Sequence, residues 1–538
     1  MANQEIKKEQ PLDAKAEQVV NSVSPEQHRL DRIRLIDQQL ASFVDHPVTE
    51  AEIVEIQKKA EEEYQKELQK LEAELDQPLS EDSKNKIRQN IVDARVNLIM
   101  DQKKIFERLE AEKIILEYLN RTLANEKSES FISREMNKDC KVAVLIPVYN
   151  ENTSNILRSL SSLSEQEAVD PKFFEIDLIV NNRQTDAKQK TKAFFSNQEA
   201  INLIKFINGE SQEIPGGLTS EQLEQIEKIR KAKIIINVID KSSVEVSDQE
   251  NNVGTARNRA GAEIVDRFMK SSGNAEGVVA ITDCDCVFSN NYIQSLISSF
   301  GEHKIIGVSG NLEFEVDPEL SNSDLIQRAF DIYMGKDGPK RDYSGETSFQ
   351  LQTKGTLQSG ANMAVPAKVW AQVGGMPPLA GGEDIRFGQG VEKLGGQIAK
   401  NYDYTITSLI RVSERTGVQG NGRIVKKIKE SVDAFVSGAS DKVVIEDREK
   451  VGSFFAGVIK ASQEERLTGR LLMDLMAQNN FKPNELPETE YSELADEINR
   501  ELSKLETARD FSRIERMILE KIYPFYPEKN ITNKLVEK

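Results

Sequence analysis

The stretch GVVAITDCDCVF, residues 277–288, places a run of apolar, mostly β-branched or small residues directly before two aspartates, Asp283 and Asp285. Three other runs have the same character: VAVLIPV at 142–148, FEIDLIV at 174–180 and KIIINVI at 233–239. Short runs of this kind, separated by helical segments, are typical of buried strands in a parallel sheet. We therefore predict an α/β fold with a Rossmann-like, mainly parallel sheet in this part of the chain.

The sequence on either side of this segment has a different, helical pattern. Residues 1–138 are charged, contain almost no glycine and carry apolar residues at helical spacing, interrupted by DQPLSEDS at 76–83. We predict a helical hairpin resembling a coiled coil at 1–138, the α/β domain at 139–418 with a helical insertion near 187–230, and a helical region at 419–538. Amphipathic helices are rarely stable alone, so these flanks are expected to pack on the α/β domain or to pair between subunits.

Composition restricts the partners and the compartment of the protein. The chain of 538 residues has 71 basic and 89 acidic side chains, and its net charge of -18 opposes general attraction to nucleic acid or to anionic membrane. No apolar run reaches the length of about 18 residues that a membrane span requires, and no apolar leader begins the chain. A cytoplasmic location is the expectation, and the 3 cysteines cannot form a disulfide framework.

Polar residues follow each of the predicted strands. In open α/β sheets, ligands bind beyond the carboxyl ends of the strands, so the chemistry of the protein should be sought there. The segments concerned are PVYNE at 147–151, NNRQTD at 181–186, NVGTARNRAG at 252–261 and DCD at 283–285.

The segment DCD has three interpretations. Asp283 and Asp285 are hard oxygen ligands suited to Mg²⁺ or Mn²⁺, particularly when a diphosphate completes the coordination shell. Alternatively, the aspartates only cap a turn after the strand. A thiol site is disfavoured, because the period of two in a strand turns Cys284 and Cys286 to the same side, in apolar surroundings that make a thiol unreactive.

A second acidic motif follows about a hundred residues later. The glycine pairs Gly374-Gly375 and Gly381-Gly382 precede Glu383 and Asp384, which open a predicted helix that runs to Leu394. Carboxylates in a first helical turn complement the helix dipole, and this purely structural role accounts for one of the two acids. It does not account for the two glycine pairs that precede them.

Taken in order, these motifs resemble those of family-2-like glycosyltransferases with the GT-A fold. The resemblance covers about residues 139–418. It implies that Asp283 and Asp285 hold a divalent metal, Mn²⁺ or Mg²⁺, against a UDP- or GDP-linked sugar donor, with Asp283 nearer the ribose or sugar. It further implies that Glu383 and Asp384 face the acceptor, with Asp384 as the base of an inverting reaction.

The same resemblance implies a set of residues around the donor nucleotide. They are Pro147, Tyr149, Asn150, Glu151, Asn182, Asp186, Gly254, Arg257, Asn258, Asp283, Ser413 and Arg415. Arg257, or the backbone amides around Gly254, would contact the phosphates, since a guanidinium matches phosphate geometry. Ser413 and Arg415, in the segment SERTG, would close over them.

The chain departs from the family pattern in two places. Asn181 and Asn182 stand where the family usually has an acidic residue, so an amide, which can also hydrogen-bond to a base edge, takes the place of the carboxylate. The histidine ligand that many members carry after the second acidic motif is absent. Metal binding should then depend more on the nucleotide.

The sequence therefore predicts an enzyme, a hexosyltransferase-like glycosyltransferase that acts on an unknown acceptor. A retaining transferase of the same fold is an alternative. So is a nucleotidyltransferase, although PVYNENTSN at 147–155 has none of the glycine or basic residues that its phosphate loop would need. A protein that binds nucleotide sugars without catalysis is the remaining alternative.

Overall fold

A computed structural model describes most of the chain. The described residues are 24–42, 50–75, 78–123, 132–243, 252–273, 275–302, 305–334, 349–352, 357, 359–379, 382–411, 421–446, 450, 453–455, 457–458, 460–461, 466–479, 481, 487–502 and 528–536. Ser413 and Arg415 lie outside these ranges. The fold is mixed α/β, and the chain divides into two compact units.

The first unit comprises residues 1–284, 289–310 and 349–404. Its strands are β1 Val142–Val148, β2 Phe174–Asn181, β3 Ile235–Lys241, β4 Val278–Ile281, β7 Phe349–Gln352 and β8 Met363–Pro366, with the first parts of β6 Ile305–Val316 and β9 Gln397–Ile410. The strands predicted at 142–148, 174–180, 233–239 and 277–282 are confirmed as β1 to β4. The third begins two residues late, because Lys233 ends the preceding helix in a left-handed conformation, with φ of 55°.

The sheet of the first unit runs in the order β3-β2-β1-β4-β8-β6. Strands β1 to β4 are parallel, with Leu145 of β1 opposite Asp177 of β2, whereas β8 runs antiparallel to β4. The chain moves outward from β1 to β3 and then returns to place β4 on the other side of β1. This reversal forms a crevice beyond the carboxyl ends of β1 and β4, where ligands bind in such sheets.

Helices connect these strands and precede them. They are α1 Pro25–Ser42, α2 Glu50–Leu75, α3 Glu81–Arg88, α4 Ala94–Leu123, α5 Thr153–Ser164, α6 Gln184–Gln189, α7 Lys192–Ile207, α8 Ser220–Ala232, α9 Val253–Ser272, α10 Tyr292–Glu302, α12 Ala367–Val373 and α13 Glu383–Lys393. A π-helical turn, Gln89–Asp93, joins α3 to α4, and a 3₁₀ turn, Pro171–Phe173, precedes β2. Ser80, within the break at 76–83, caps α3: its hydroxyl accepts the N–H of Ser83.

The end of the N-terminal helical region belongs to the main core of the first unit. Ile115, Tyr118 and Leu119 of α4 pack in one cluster with residues of α9 and α12, among them Ala260 and Trp370. Each of the four α4 and α12 side chains in this group is almost fully buried. Much of the apolar surface at the end of α4 is therefore buried within the chain.

The second unit comprises residues 285–288, 311–348 and 405–538. It contains β5 Cys286–Phe288, α11 Ser323–Tyr333, α14 Asn421–Val436, β10 Val444–Glu446, α15 Gly469–Gln478, α16 Glu488–Leu502, β11 Glu528–Asn530 and α17 Thr532–Val536, with the second parts of β6 and β9. Strand β5 pairs antiparallel with β9, and β10 with β11.

The helices of both units lack the features of a membrane span. Within the described ranges, none is both long enough and apolar enough to cross a bilayer.

Candidate functional site

The turn after β1 is held by a residue from the helical segment between β2 and β3. Asn150 has a left-handed backbone, with φ of 55°, and its N–H donates to Oδ1 of Asn197 at 2.8 Å. Glu151 is buried and its carboxylate accepts a hydrogen bond from Asn155 at 3.2 Å. Tyr149, two residues after Pro147, donates its hydroxyl to Asp186 at 3.3 Å. Tyr149 and Asn150 of this turn thus contact the helical segment that follows β2.

Asn197 also organises the end of β2. Its amide donates to the backbone oxygen of Asn181 and to Oδ1 of Asn182, each at 2.8 Å. Asn182 in turn donates to the backbone oxygen of Ser242 at 2.9 Å and is completely buried. In this conformation the Asn182 amide is engaged by the protein itself, and its predicted contact with a nucleobase stays a prediction.

Asn197 is a residue that the sequence interpretation missed. It uses one acceptor and both donors of its side chain, which is the full capacity of an amide apart from one lone pair. Its position, mid-helix and after no strand, carries no sequence signal for such a role. Its complete burial, which only the structure shows, is what marks it as a residue with a structural role.

The N-terminal part of α9 packs against the segment before α13. The N–H of Gly254 donates to the backbone oxygen of Leu379 at 3.2 Å. A side chain at Gly254 would place its Cβ 2.2 Å from the backbone oxygen of Pro377. The close approach that this glycine allows is therefore to the chain's own backbone, and its predicted contact with phosphates stays a prediction.

Arg257 of α9 joins the two acidic motifs. Its Nη1 donates to Oε1 of Glu383 at 2.6 Å, and its Nη2 donates to Oδ1 of Asp283 at 2.5 Å. Nη2 also contacts the backbone oxygen of Gly360 at 3.1 Å. The Arg257 side chain is only 3% exposed, so this guanidinium is a fixed, buried cation between carboxylates that lie a hundred residues apart in sequence.

Gly360 lies directly against this guanidinium, and a side chain there would displace it. A Cβ at Gly360 would lie 2.3 Å from Nη1 of Arg257, closer than any side chain can come. The N–H of Gly360 donates to Oδ2 of Asp384 at 2.8 Å, and the N–H of Ile385 donates to Oδ1 at 2.8 Å. The backbone therefore fixes the orientation of the Asp384 carboxylate from both sides.

Glu383 and Asp384 have different surroundings although they are adjacent. The predicted helix at 383–394 is confirmed as α13, with both acids in its first turn. Burial raises the pKa of Glu383, and the Asp384 carboxylate adds to this rise while Arg257 opposes it. Glu383 is 5% exposed and turned toward Arg257, whereas Asp384 is only partly buried. Of the two, Asp384 is the acid that a bound molecule can reach.

Asp285 belongs to the second unit. Its Oδ2 accepts from Nη2 of Arg411 at 3.4 Å, and its backbone oxygen accepts the N–H of Leu409 at 3.0 Å. Cys284 and Cys286, on either side of it, are buried.

The donor atoms present do not by themselves fit a metal centre held by protein side chains. Asp283 and Asp285 each face an arginine, and a guanidinium competes with a cation for carboxylate oxygens. In the part of the chain that the structure describes, no group of three or more His, Cys, Asp or Glu side chains is placed to hold an ion. The expectation of Mn²⁺ or Mg²⁺ stays a prediction.

A cavity of about 340 Å³ lies away from these residues. Its lining includes Ile234 and Ile236 at the start of β3, with Arg230 and Lys233 from the end of α8. It is thus associated with the amino end of a strand, whereas the acidic motifs follow carboxyl ends.

The comparisons with known proteins give distant structural similarity only. No family model matches the chain, and no curated protein matches it. The chain is similar to GalNAc-T7 with UDP, GalNAc and Mn²⁺, at 14% identity and a TM-score of 0.32, covering 72% of this chain and 59% of that one. It therefore spans less than two thirds of GalNAc-T7.

Two other solved structures are similar to the chain at the same level. TarS 1-349 of S. aureus in complex with UDP-GlcNAc is 14% identical, with a TM-score of 0.32 over 71% of this chain and 91% of that one. The mannosyltransferase PcManGT from Pyrobaculum calidifontis, with GDP-Man and Mn²⁺, is 11% identical, with a TM-score of 0.30 over 78% and 90%. At these TM-scores, a function for this chain has to be argued from its own residues.

Proposed function

We propose that this protein is a glycosyltransferase that transfers a sugar from a UDP- or GDP-linked donor to an acceptor hydroxyl. The observation that carries the proposal is the contact of Arg257 with both Asp283 and Glu383. Asp283 follows β4, beside the crevice where the strand order reverses, and such crevices bind nucleotides in open α/β sheets. The acids predicted for the donor and for the acceptor thus meet at one guanidinium.

Asp384 is the proposed general base. A sugar hydroxyl is a poor nucleophile at neutral pH, and a carboxylate that accepts its proton in the transition state makes the attack feasible. The hydrogen bonds from Gly360 and Ile385 use one lone pair on each Asp384 oxygen. Because a carboxylate oxygen has two acceptor sites, either oxygen can still accept the acceptor's proton.

Glu383 and Arg257 are proposed to hold this base in place. Arg257 is buried and neutralised by carboxylates on two sides, so its role is to fix the geometry of Asp283 and α13. Fixed geometry matters because a misplacement of about 1 Å can cost about a hundredfold in rate. Membership of family 2, the inverting stereochemistry and the metal requirement are parts of the proposal.

A screen for ligands is the first test. Nucleoside diphosphates and nucleotide sugars, each with Mn²⁺, with Mg²⁺ or with EDTA, are added to the full chain, and the unfolding temperature is measured. A ligand that binds only the folded state raises this temperature by mass action. The proposal predicts a rise with UDP or GDP compounds, and no rise with any member of the set would contradict it.

The role of Asp384 is tested with the donor that this screen identifies. Asp384→Asn should keep the affinity for the donor. It should slow the transfer of the sugar by several orders of magnitude, whether transfer to an acceptor or hydrolysis of the donor is measured. Asp139→Asn is a matched control, because the side chain of that aspartate is 57% exposed and pairs with Lys172, which is itself 43% exposed. Near-normal turnover of Asp384→Asn would place the base elsewhere or indicate a retaining reaction.

The metal prediction has its own test. Asp285→Ala should abolish any Mn²⁺-dependent part of the affinity for UDP or GDP in calorimetry. An unchanged Mn²⁺-dependent affinity would contradict the assignment of Asp285 as a ligand. Affinity that is equal in Mn²⁺ and in EDTA would show that the donor binds without a divalent ion.

A further inference from the structure

Tyr118 is the residue through which the N-terminal helical region reaches the candidate site. It lies on α4, is 2% exposed, and packs in the main core of the first unit. Its ring would be satisfied by this apolar cluster alone. Its hydroxyl, however, has polar partners, and two of them, Asn258 and Trp370, belong to elements that lead to the site.

The Tyr118 hydroxyl uses both its donor and an acceptor site. Nε1–H of Trp370, on α12, donates to the Tyr118 oxygen at 2.8 Å. The Tyr118 hydroxyl in turn donates to Oδ1 of Asn258, on α9, at 3.0 Å. Burial raises the pKa of Tyr118 far above its ordinary value, so the hydroxyl keeps its proton and remains a donor at physiological pH. One oxygen therefore links three helices.

The backbone at Gly375 is packed directly against this junction. Gly375 has φ of 78°, and a Cβ there would lie 1.9 Å from Oδ1 of Asn258 and 2.6 Å from the Tyr118 oxygen. Both the conformation and the space thus exclude a side chain. The segment that leaves α12 toward Glu383 is in this way fixed at its start by Tyr118 and Asn258.

Two routes lead from the Tyr118 hydroxyl to the acidic motifs. Asn258 is the neighbour of Arg257, which holds Glu383 and Asp283. Trp370 packs on Phe387 of α13, with ring centroids 4.8 Å apart, one helical turn after the acids.

We infer that Tyr118 is a positioning residue for the candidate site, acting through the Asn258 amide and Trp370 on Arg257 and α13. This inference rests on the proposed function for its catalytic consequence, but not for its structural one. The N-terminal helical region then helps to fix the geometry of the site, because Tyr118 of α4 donates a hydrogen bond to Asn258, the neighbour of Arg257. A role for Tyr118 in core packing alone predicts that a phenylalanine would serve equally well.

The variant Tyr118→Phe separates these two roles. It keeps the ring in the core and removes only the hydroxyl, leaving Nε1–H of Trp370 and Oδ1 of Asn258 without this partner. Trp370 is the single tryptophan of the chain, so its emission reports this junction directly. Tyr64→Phe is the matched control, since Tyr64 is also buried in the N-terminal helices, but in a separate cluster with Ala60 and Val92.

Two measurements on the full-length variants decide the structural part. Tyr118→Phe should shift the Trp370 emission and speed hydrogen exchange in peptides from the start of α9 and from α13, whereas Tyr64→Phe should change neither. Unchanged exchange in both peptides would overturn the inference, whatever the activity of the protein. Should Tyr118→Phe fold poorly, Trp370→Phe removes the same hydrogen bond from its other end and is read by exchange.

The catalytic part is measured with the donor found by the ligand screen. Tyr118→Phe should lower kcat by about 10- to 100-fold and change the donor KM by less than about threefold. Equal kcat in Tyr118→Phe and wild type would overturn the positioning role. If the wild-type chain binds no nucleotide at all, the proposed function fails, and the exchange data still decide whether Tyr118 fixes α9 and α13.

Discussion

At the scale of single residues, Arg257 is a buried charge on which the stability of the protein should depend. Its guanidinium is buried and is held by two carboxylates, one of which, on Glu383, is itself buried. An ion pair in this position adds little stability over a well-packed apolar pair, but removal of one partner leaves an uncompensated charge. The positions of Asp283 and Glu383 therefore depend on the charge of Arg257.

Arg257→Met should destabilise the protein by about 3–5 kcal/mol at pH 8. The loss should be smaller at pH 5, because Glu383, whose pKa burial already raises, takes up a proton more readily once the arginine is removed. Urea unfolding at both pH values measures the difference. Arg34→Met is the control, since Arg34 and Asp31 form an exposed pair, and it should change little. An equally small change for Arg257→Met would contradict the prediction.

A second prediction at this scale concerns Tyr404. Its hydroxyl is buried, and among the described residues it has no hydrogen-bond partner. The ring packs edge-on against Tyr292, with centroids 5.2 Å apart, and that packing does not need the hydroxyl. Because an unsatisfied buried polar group costs about 1–3 kcal/mol, Tyr404→Phe should raise the free energy of unfolding by about 1 kcal/mol. A lower free energy of unfolding would indicate a partner for this hydroxyl.

At the scale of secondary-structure elements, α9 and β2 carry an unusual layer of buried acids. Asp177 of β2 is completely buried, and burial, together with the nearby Glu175, raises its pKa well above the ordinary value. Arg267 of α9 binds Glu175 through Nε at 3.0 Å and Nη2 at 2.8 Å. Glu263, also on α9, accepts the N–H of Ile132 at 3.1 Å. Arg267 thus pairs with Glu175, and its charge also opposes the rise in the pKa of Asp177 and of Glu263.

These elements should make stability fall as the pH rises through neutrality. Burial raises the pKa of Glu263 from 4.5 to about 7. Its protonated form is therefore favoured by folding, and this stabilisation is complete below pH 4.5 and is lost as the pH passes 7. The shift corresponds to about 3 kcal/mol. Glu263→Gln should flatten the dependence of the unfolding temperature on pH between about 5 and about 8, because a glutamine takes up no proton there.

The neighbours of Glu263 provide the control for this pH dependence. Asp266 and Lys270 lie on the same helix, and their salt bridge at 2.5 Å has one exposed partner. Lys270→Gln should keep the fall of stability with pH and move it slightly to higher pH, because the charge of Lys270, whose side chain is 69% exposed, lowers the pKa of Glu263. If the stability of the wild-type protein rose steadily from about pH 5 to about pH 8, the raised pKa assigned to Glu263 would be contradicted.

The elements also show what the sequence could and could not predict. Strands β1 to β4 were predicted because short β-branched runs between glycine and asparagine leave few other structures for the backbone. The contact of Arg257 with Glu383 was not, since the same motif position suits a phosphate contact or a surface pair equally well. Periodicity likewise showed that α4 has one buried face, but not that this face carries Tyr118 to Trp370 and Asn258.

At the scale of the whole molecule, the prediction of three successive regions, at 1–138, 139–418 and 419–538, stays a proposal. Contacts within the first unit nevertheless join α4 to α9 and α12 in one core. Packing of the N-terminal helices on the α/β domain, one of the two arrangements expected from the sequence, is therefore seen for α4. Pairing between subunits through the remaining helical surfaces stays untested.

Removal of the N-terminal helices should then unfold the first unit rather than simply shorten it. Ile115, Tyr118, Leu119 and Leu123 of α4 are each at least 96% buried. Burial of such a side chain contributes about 1.5–3 kcal/mol, whereas a whole domain is stable by only about 5–15 kcal/mol. Loss of all four contributions, together with the core surface that they cover, is comparable with the entire stability of the unit.

A chain that starts at residue 132 should therefore aggregate or lack a cooperative unfolding transition in calorimetry and light scattering. A chain that starts at residue 78 is the control, because it keeps α3 and α4 and loses only α1 and α2. It should retain the transition, at a lower temperature, since Ile36 of α1 also packs on Leu109 and Leu116 of α4. If the chain that starts at residue 132 unfolded like the full-length one, α4 would be dispensable for the core. The link from Tyr118 to the acids would then lose its structural basis.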